Sequence, residues 1–363
     1  MSEQLYQVAL ELLPGIGDVT AKNLIAYCGS ASEIFKAPKQ KLAKVPGIGP
    51  KTLSLLQSEQ PLKEAEDILN RCEKAGISIH HFTDSTYPTK LKQAVDAPNI
   101  LYAKGNINAW SRVLAIVGTR NATEYGRTVT ERIVAECKDL DVVIVSGLAY
   151  GIDITAHRAA LREHVPTIGV LAGGLDKLYP SAHKKYADEM LETGGLISEN
   201  PPGIKAEAHF FPARNRIIAG MCDAVVVVEA AKKGGALITA NIADSYNKTV
   251  FAVPGTLEHT YSEGCNYLIR NQKALIYTGI KDLKYHLNWD QVNGNAPQAP
   301  DLSALPEGDR RIMEILQNHP EGIPVDELAW RTQISLNQLA SNLLGLEFQG
   351  LVKSLPGKRY RVA

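Results

Sequence analysis

The segment Phe210-Phe211-Pro212-Ala213-Arg214-Asn215-Arg216 contains the residue types needed to hold a nucleic-acid strand. It places two adjacent aromatic rings beside two arginines. Aromatic rings offer flat faces on which bases stack, and guanidinium groups match phosphate oxygens and stay charged near neutral pH. Together these groups can hold a single strand without reading its sequence. The same residues also fit a structural role, in which one Phe belongs to the core and one Arg pairs with a carboxylate.

Short runs rich in Val and Ile predict the strands that must position these side chains. The candidate strands are 113–117, 142–145, 167–171, 224–228, 249–253 and 274–277. Because helix-length segments separate them, they predict a parallel sheet covered on both faces. Glycines follow most of these strands, and the carboxyl edge of an open α/β sheet is where a ligand crevice forms. We therefore predict an α/β fold with a Rossmann-like open parallel sheet at residues 76–287.

Two of the glycine turns carry groups that suit an anion. Gly118-Thr119-Arg120 follows the first strand, where the next helix would direct its N-terminal amides at a ligand and Arg120 adds a cation. Ser146-Gly147 follows the second strand and can offer a hydroxyl and a free N–H. We expect Asn215 and Gly235 to border the same site. The pattern argues against an NAD enzyme, because it lacks the dinucleotide spacing of glycines and an acidic residue after the second strand.

The N-terminal 75 residues read as short helices with an internal repeat. Leu13-Pro14-Gly15-Ile16-Gly17 recurs as Val45-Pro46-Gly47-Ile48-Gly49, and Lys22 and Lys51 follow the two copies. Glycines between two helices leave backbone N–H groups exposed, which can grip a phosphate. The repeat resembles a helix-hairpin-helix (SAM-like) domain with possible duplex contacts at Gly15, Gly17, Lys22, Gly47, Gly49 and Lys51. Plain packing of the helices is the alternative.

The C-terminal 58 residues, 306–363, predict three helices and a hairpin, which is the order of a winged helix. Residues 288–305 before them read as a flexible linker. The third helix carries no Arg or Lys, whereas the hairpin carries Lys358 and Arg359. Because a recognition helix without a cation gains little from phosphate neutralisation, we favour a partner-binding or weak wing-mediated role over sequence-specific readout.

Composition limits the remaining possibilities. The chain has 363 residues and balanced charge, with 39 basic and 39 acidic side chains, so a nucleic-acid surface must be a local patch. The five cysteines are scattered and suggest neither a zinc site nor a disulfide framework. No signal peptide or membrane-length apolar run is present in the sequence. We expect a cytoplasmic protein without metal, cofactor or membrane contact.

Several motifs occur together in the order typical of one family. They are Gly118-Thr119-Arg120, Ser146-Gly147-Leu148-Ala149, Gly151-Ile152-Asp153, Ala156-His157, Ser198-Glu199, Pro201-Pro202-Gly203, Phe211-Pro212, Arg214-Asn215-Arg216-Ile217-Ile218, Leu237-Ile238-Thr239-Ala240 and Val253-Pro254-Gly255. In these motifs, residues 80 to 280 resemble the DNA-processing protein DprA (Smf) family. The flanking modules agree with the longer members of that family.

The resemblance implies a non-catalytic protein that binds single-stranded DNA. It further implies that the protein protects incoming DNA during natural transformation and loads the RecA recombinase, displacing single-strand-binding protein. The residues it assigns to DNA are Gly118, Arg120, Lys205, Phe210 or Phe211, Arg214 and Arg216. A homodimer is also implied, and the segment 266–276 supplies apolar candidates for its interface, namely Leu268, Ile269, Leu275 and Ile276.

Two other functions compete with this interpretation. The sheet also resembles that of nucleotide phosphoribohydrolases related to lysine decarboxylase, which cleave nucleoside monophosphates with a glutamate after a glycine-rich turn. Here Ala240 to Ala243 follow the turn 233–239, so no carboxylate stands at the required place. A duplex-DNA regulator, acting through the hairpins and the winged helix, is the third possibility. Whether Phe210 or Phe211 stacks on a base remains open from the sequence.

Overall fold

The computed structural model describes residues 2–43, 45, 48–56, 58–108, 110–289, 305–319, 322–355 and 359–362. The chain divides into two compact units, Met1–Asp290 and Gln291–Ala363. The first unit contains both the predicted helical region and the predicted sheet. In the described parts of the chain, no helix combines the length and apolar character required to cross a bilayer.

Among the described residues, six helices form the N-terminal region of the first unit. They are α1 (Glu3–Glu11), α2 (Asp18–Cys28), α3 (Ala31–Lys36), α4 (Lys39–Leu42), α5 (Pro50–Leu56) and α6 (Gln60–Lys74). Leu10, Leu24 and Ile34 bury their side chains between the first three helices, and Leu56 joins them from α5. The amphipathic spacing of these residues explains why the short helices are stable only when packed together. The predicted helical N-terminal region is confirmed.

A mixed sheet forms the centre of this unit. Its strands are β1 (Ser78–His81), β2 (Ile100–Gly105), β3 (Arg112–Val117), β4 (Val142–Ser146), β5 (Thr167–Val170), β6 (Gly195–Ser198), β7 (Ala224–Val227), β8 (Thr249–Ala252) and β9 (Leu275–Ile276). Within the described residues these nine strands lie in the order β1-β2-β6-β5-β4-β3-β7-β8-β9. All pairs from β6 to β9 are parallel, while β1 and β2 are antiparallel to their neighbours. The predicted Rossmann-like parallel core is confirmed.

Helices cover both faces of the sheet. They are α7 (Thr89–Lys92), α8 (Glu124–Glu136), α9 (Ile152–Glu163), α10 (Lys184–Met190), α11 (Phe210–Met221), α12 (Gly235–Ser245), α13 (Glu263–Arg270) and α14 (Ile280–Leu287). Alternate residues of each strand serve the two faces: Val113, Ala115 and Val117 of β3 pack in one core cluster. Leu114 and Ile116 pack in the other. This alternation, with apolar side chains on both faces, is what a doubly covered parallel sheet requires.

The chain reverses its direction of winding at β3. From β3 it proceeds outward through β4, β5 and β6, and it then returns to place β7 on the other side of β3. The loops after β3 and β7 therefore diverge at the carboxyl edge and leave a crevice between them. Ligands of open α/β sheets bind at such a switch point.

The second unit is a winged helix, as predicted. Its elements are α15 (Glu307–Gln317), β10 (Ile323–Pro324), α16 (Val325–Thr332), α17 (Leu336–Phe348), β11 (Val352–Leu355) and β12 (Arg359–Val362). The strands form an antiparallel sheet in the order β10-β12-β11. Ile312, Leu328 and Leu343 fill its core. Of the predicted linker, 290–304 lies outside the described residues, whereas Trp289 packs in the core of the first unit.

Candidate nucleic-acid interface

A crevice of about 340 Å³ opens at the switch point between β3 and β7. Its lining comes from the loops after β3 and β7, the first turns of α9, α11 and α12, and the loop after β8. The lining includes Gly118, Thr119, Arg120, Asn121, Asp153, Phe211, Arg214, Asn215, Lys233, Gly234, Gly235 and Tyr261. The structure therefore brings together most of the side chains predicted from the strand ends and from the segment 210–216.

Arg120 and Phe211 are accessible members of the predicted DNA-binding residues. Arg120 is exposed on the loop after β3, and its guanidinium lies 5.2 Å from the centre of the Phe211 ring. Phe211 is half-buried in the first turn of α11. A guanidinium over a ring is held in place by the cation–π interaction and keeps its N–H groups for a further acceptor. The pair thus presents a fixed cation and an aromatic ring at the mouth of the crevice.

Arg214 has a structural position beneath the crevice. It is buried, and its Nη1 donates 2.6 Å to the Gly147 carbonyl and also to the Val170 carbonyl. Burial lowers the pKa of Arg214 to about 10, a shift that the nearby Asp153 carboxylate opposes. The side chain therefore stays charged at neutral pH and ties the carboxyl ends of β4 and β5 together. The expectation that Arg214 holds DNA phosphate directly is corrected accordingly.

Ser146 and Gly147 do not offer the free groups that the sequence suggested. The Ser146 hydroxyl donates to the Ile116 carbonyl at 2.6 Å, and the Gly147 N–H donates to Asp153 Oδ2 at 3.1 Å. A Cβ at position 147 would lie within 2.5 Å of the Arg214 guanidinium. The glycine is therefore needed so that Arg214 can pack against the turn, and the prediction of a free N–H here was wrong.

Arg216 lies outside the crevice. Its Nη2 pairs with Asp18 of α2 at 3.1 Å and with Glu199 after β6, and its Nη1 donates to the Asp96 carbonyl. Burial disfavours the charged form, but Glu199 and Asp18 more than compensate and raise the pKa of Arg216. Its donors are thus directed at carboxylates of its own chain rather than at a ligand phosphate. This corrects the assignment of Arg216 to DNA and agrees with the alternative in which one Arg pairs with a carboxylate.

The two phenylalanines face different surroundings. Phe211 lines the crevice, whereas Phe210 packs against His209, with ring centres 4.0 Å apart. Phe210 borders a second cavity together with Glu11, Asp18 and Glu199. Carboxylates repel phosphate, so this second cavity is a poor place for a nucleic-acid backbone. The structure separates the rings in a way that the adjacent sequence positions did not reveal.

The N-terminus of α8, the helix after β3, is already occupied by a carboxylate of the same chain. The N–H and hydroxyl of Thr123, the N-cap of α8, donate to the buried Glu229 carboxylate at 2.9 and 2.5 Å. The predicted use of these N-terminal amides for a ligand is therefore corrected. The start of α12 borders the crevice instead, through Gly234 and Gly235, and the exposed Lys233 precedes it.

The remaining predicted residues lie around the crevice. Thr119 uses its N–H to bond the Glu229 carbonyl at 2.7 Å, and its hydroxyl accepts from Asn121 N. Asn215 is buried and its side-chain amide donates to the Gly235 carbonyl at 3.4 Å. Lys205 is exposed on the loop between β6 and α11. Sequence reasoning missed Tyr261 as a lining residue, whereas Lys233 lies in a glycine-rich turn after a strand, which is a usable signal for the crevice.

His157 is a buried structural residue. Its Nδ1 lies 2.7 Å from the Thr167 hydroxyl, which gives the imidazole a buried side-chain partner. Burial, with His183 and Arg214 nearby, lowers the pKa of His157 to about 3. The imidazole is therefore neutral at physiological pH.

Comparison with known proteins gives the family. A family model described as DNA recombination-mediator protein A matches residues 78–288, more than half of the chain. This chain belongs to the DNA recombination-mediator protein A (DprA) family. A DprA winged helix domain matches 296–358, and a SAM-like helix-hairpin-helix tandem matches 8–59.

Individual DprA-family members agree over long stretches. Protein Smf of Synechocystis is 31% identical over 99% of both chains, and Protein Smf of Escherichia coli is 34% identical over 85% of both. The X-ray structure of DprA from Streptococcus pneumoniae aligns with a TM-score of 0.66 at 29% identity, covering 78% of this chain and 98% of that one. A Helicobacter pylori DprA structure, described as showing a single-stranded DNA binding mode, aligns with a TM-score of 0.53 at 29% identity. The alignment covers 59% of this chain and 96% of that one.

The first hairpin of this DprA-family chain is turned toward its own sheet. Lys22 donates 2.6 Å to the Ala97 carbonyl and lies over the Phe82 ring, so it is not directed outward as predicted. Gly17 caps α2 beside the acidic second cavity, and Gly15 adopts the left-handed backbone of a turn. These contacts indicate that the first hairpin packs within its own chain, which was the alternative to a duplex contact.

Some of the predicted DNA-contact residues of the second hairpin and of the wing are described by the structure. Lys51 is exposed on α5, and Gly49 precedes that helix. Arg359 donates 2.7 Å to the Gly322 carbonyl, so one of its donors is engaged within the wing. Gly47 and Lys358 lie outside the described residues.

The predicted dimer residues are divided between the core and the surface. Leu268 is buried on α13, so it cannot contribute to a surface patch, and Ile269 packs partly against the same core. Leu275 and Ile276 form β9, which pairs only with β8 in the described sheet, and their side chains are 39% and 49% exposed. The apolar patch is therefore confined to this edge strand.

Proposed function

We propose that the crevice binds single-stranded DNA by its backbone, with a base stacked at Phe211. The observation that carries the proposal is the exposed Arg120 guanidinium held over the half-buried Phe211 ring at the switch point. One group neutralises phosphate and the other stacks on any base, which is the combination that sequence-independent single-strand binding uses. The described single-stranded DNA binding mode of the related Helicobacter pylori protein supports this assignment.

The charge around the crevice also supports a polyanionic ligand. Arg120 and Lys233 are exposed at its mouth and Arg214 lies beneath it, while Asp153 is the acidic group that borders it. Asp153 accepts the Gly147 N–H and lies close to Arg214, so its charge is compensated within the chain. The local field therefore favours phosphate although the whole chain has no net charge.

We further propose that the protein acts on DNA without catalysis, as a mediator. In this role it protects incoming single strands during transformation, displaces single-strand-binding protein and loads RecA. The family description as a recombination-mediator protein supports this role. The turn at α12 continues into Ala240 and Ala243 without a carboxylate, which supports binding rather than glycosidic cleavage. Release of free base from nucleoside monophosphates, lost in Arg120→Ala, would replace this proposal with the phosphoribohydrolase alternative.

Binding of matched single- and double-stranded oligonucleotides of the same length tests the proposal. We expect tighter binding of the single strand, independent of its sequence, with affinity that falls steeply as salt is raised. A preference for duplex together with dependence on sequence would contradict it. That outcome would support a duplex regulator acting through the hairpins and the winged helix.

A further inference from the structure

We propose that Tyr150 and Tyr179 form a second base-stacking position beside the crevice, so that the bound strand continues from Phe211 toward the loops after β4 and β5. The inference deepens the proposed single-strand binding and rests on it. The ligand at this position is the base of an adjacent nucleotide, of any sequence.

Both tyrosines are unusually open for large aromatic residues. Tyr150 is 49% exposed on the loop between β4 and α9, and Tyr179 is 53% exposed on the loop between β5 and α10. A single exposed aromatic residue needs no explanation, but two of them converge here on one small cleft. Arg120 and Phe211 border the same cleft. The second position is therefore continuous with the proposed first one.

The ring geometry leaves stacking faces free. Tyr179 approaches Phe211 edge to face, with ring centres 6.0 Å apart and planes at 68°. Tyr150 meets His183 in the same way, at 4.9 Å and 70°. In a T-shaped pair the edge of one ring points at one face of the other, so each tyrosine is oriented by its ring partner and keeps at least one face that this partner does not cover. Each tyrosine is thus held in a defined orientation and can still stack on a base.

The shape and charge of the cleft indicate how a nucleotide would lie. Its volume is about 20 Å³, too small for a base to insert, so the base must lie on the outer faces of the tyrosines. Gly147 and the buried Arg214 also line the cleft, and Arg120 borders both the cleft and the crevice. A phosphate linking the two bases would then lie beside Arg120, close to two positive charges.

The test compares Tyr150→Leu and Tyr179→Leu with the wild type in binding a fluorescent oligothymidylate. Leucine keeps bulk but removes the stacking face, and each change should weaken binding roughly five- to a hundredfold. Tyr285→Leu is the matched control, because Tyr285 is 76% exposed on α14 and does not border the crevice or the cleft. Tyr150→Phe and Tyr179→Phe should bind like the wild type, since the ring rather than the hydroxyl is used.

An oligonucleotide of abasic residues separates stacking from folding effects. The two leucine variants should bind this backbone-only strand as the wild type does, whereas Arg120→Ala should weaken its binding. Equal losses on both strands, or losses in the phenylalanine variants, would overturn the stacking role. If the leucine variants bind oligothymidylate normally while Arg120→Ala and Phe211→Ala weaken, the second position is wrong and the proposed function stands. If the wild type binds no single strand, both fail.

Discussion

Arg214 shows how a buried charge can organise a ligand site without touching the ligand. Its guanidinium bonds the carbonyls of Gly147 and Val170, and Asp153 accepts the Gly147 N–H from the same turn. A buried arginine is stable only when carbonyl dipoles and a counter-charge replace its lost hydration. Arg214 therefore fixes the carboxyl ends of β4 and β5, the first of which carries Ser146 and Gly147. This hydrogen-bond network shapes the base of the crevice.

Replacement of Arg214 by Ala should destabilise the fold. It leaves two buried carbonyls unbonded and the Asp153 carboxylate without its positive neighbour, a loss on the order of 2–5 kcal/mol in the free energy of unfolding. Urea denaturation measures this loss. Arg120→Ala is the control and should change stability by less than about 0.5 kcal/mol, because its side chain is exposed. An Arg214→Ala protein as stable as the wild type would show that the buried network is dispensable.

Glu11 should make stability depend on pH. Burial, together with Asp18, raises the pKa of Glu11 from 4.5 to about 7, although Asn99 donates to it at 2.6 Å. Since the folded-state pKa lies above the ordinary value, the folded protein gains stability from protonation below pH 4.5. This stability is lost as the pH rises through about 7.

Glu11→Gln tests this pH dependence, because the amide keeps the oxygen that accepts from Asn99 and cannot ionise. We expect the variant to be more stable than the wild type at pH 8, on the order of 1–3 kcal/mol, and nearly equal at pH 4.5. Thermal unfolding across this range measures the difference. The exposed Glu64→Gln should leave the profile unchanged. A constant difference between wild type and Glu11→Gln at all pH values would contradict the assignment.

At the scale of elements, α11 connects the crevice with the N-terminal helices. Phe211 at its start lines the crevice, and Arg216, little more than one turn later, pairs with Asp18 at the start of α2. Asp18 also accepts the Asn99 N–H at 2.9 Å. The helical region is thus docked on the sheet through a partly buried ionic network, and the first hairpin serves this docking.

Asp18→Asn should loosen this docking. The change removes a carboxylate from Arg216 and weakens the bond from Asn99, costing about 1–3 kcal/mol. Hydrogen exchange should therefore quicken in α1 and α2 while the amides of β3 and β7 stay protected. Glu59→Gln, which breaks an exposed pair with Lys63, is the control and should have little effect. Unchanged exchange in α2 would show that apolar packing alone holds the helical region.

The elements themselves were largely predictable from the sequence. Each predicted strand from 113 to 277 has an observed counterpart, because parallel strands buried on both faces leave continuous Val and Ile runs. β1, β2 and β6 were not predicted; β1 contains two histidines and β6 spans only Gly195–Ser198, so neither of these two shows that signal. The segment 210–216 was treated as a binding stretch, yet it is the first half of a helix, so its residues point in different directions.

For the whole molecule, we propose that two copies of the chain pair along the edge strand β9. In the described residues β9 pairs with β8 alone, and Leu275 and Ile276 are partly exposed on it, so this edge is favourable for pairing with a second copy. Ile276→Asp should shift the protein to a monomer without loss of stability, because the side chain is about half exposed. Sedimentation equilibrium measures the shift. A wild-type monomer, or an unchanged dimer in the variant, would place the interface elsewhere.

The candidate site was less predictable than the fold, since its chemistry depends on contacts between distant segments. Arg216 is separated from Asp18 by 198 positions, and Thr123 from Glu229 by 106. No feature of the neighbouring sequence reveals such distant pairs. Both arginines and the N-terminal amides of α8 were therefore assigned to a ligand. Arg120 was placed correctly at the crevice because its position after a strand and a glycine is a local signal.

The salt dependence of single-strand binding in Arg120→Ala tests the central claim most directly. If Arg120 neutralises one phosphate, its loss should reduce the slope of log affinity against log salt by about 0.7, the value for one contact on a single strand. Phe211→Ala should weaken binding but leave the slope unchanged, because stacking releases no counterions. An Arg120→Ala protein that is folded yet keeps both the affinity and the slope of the wild type would contradict the account.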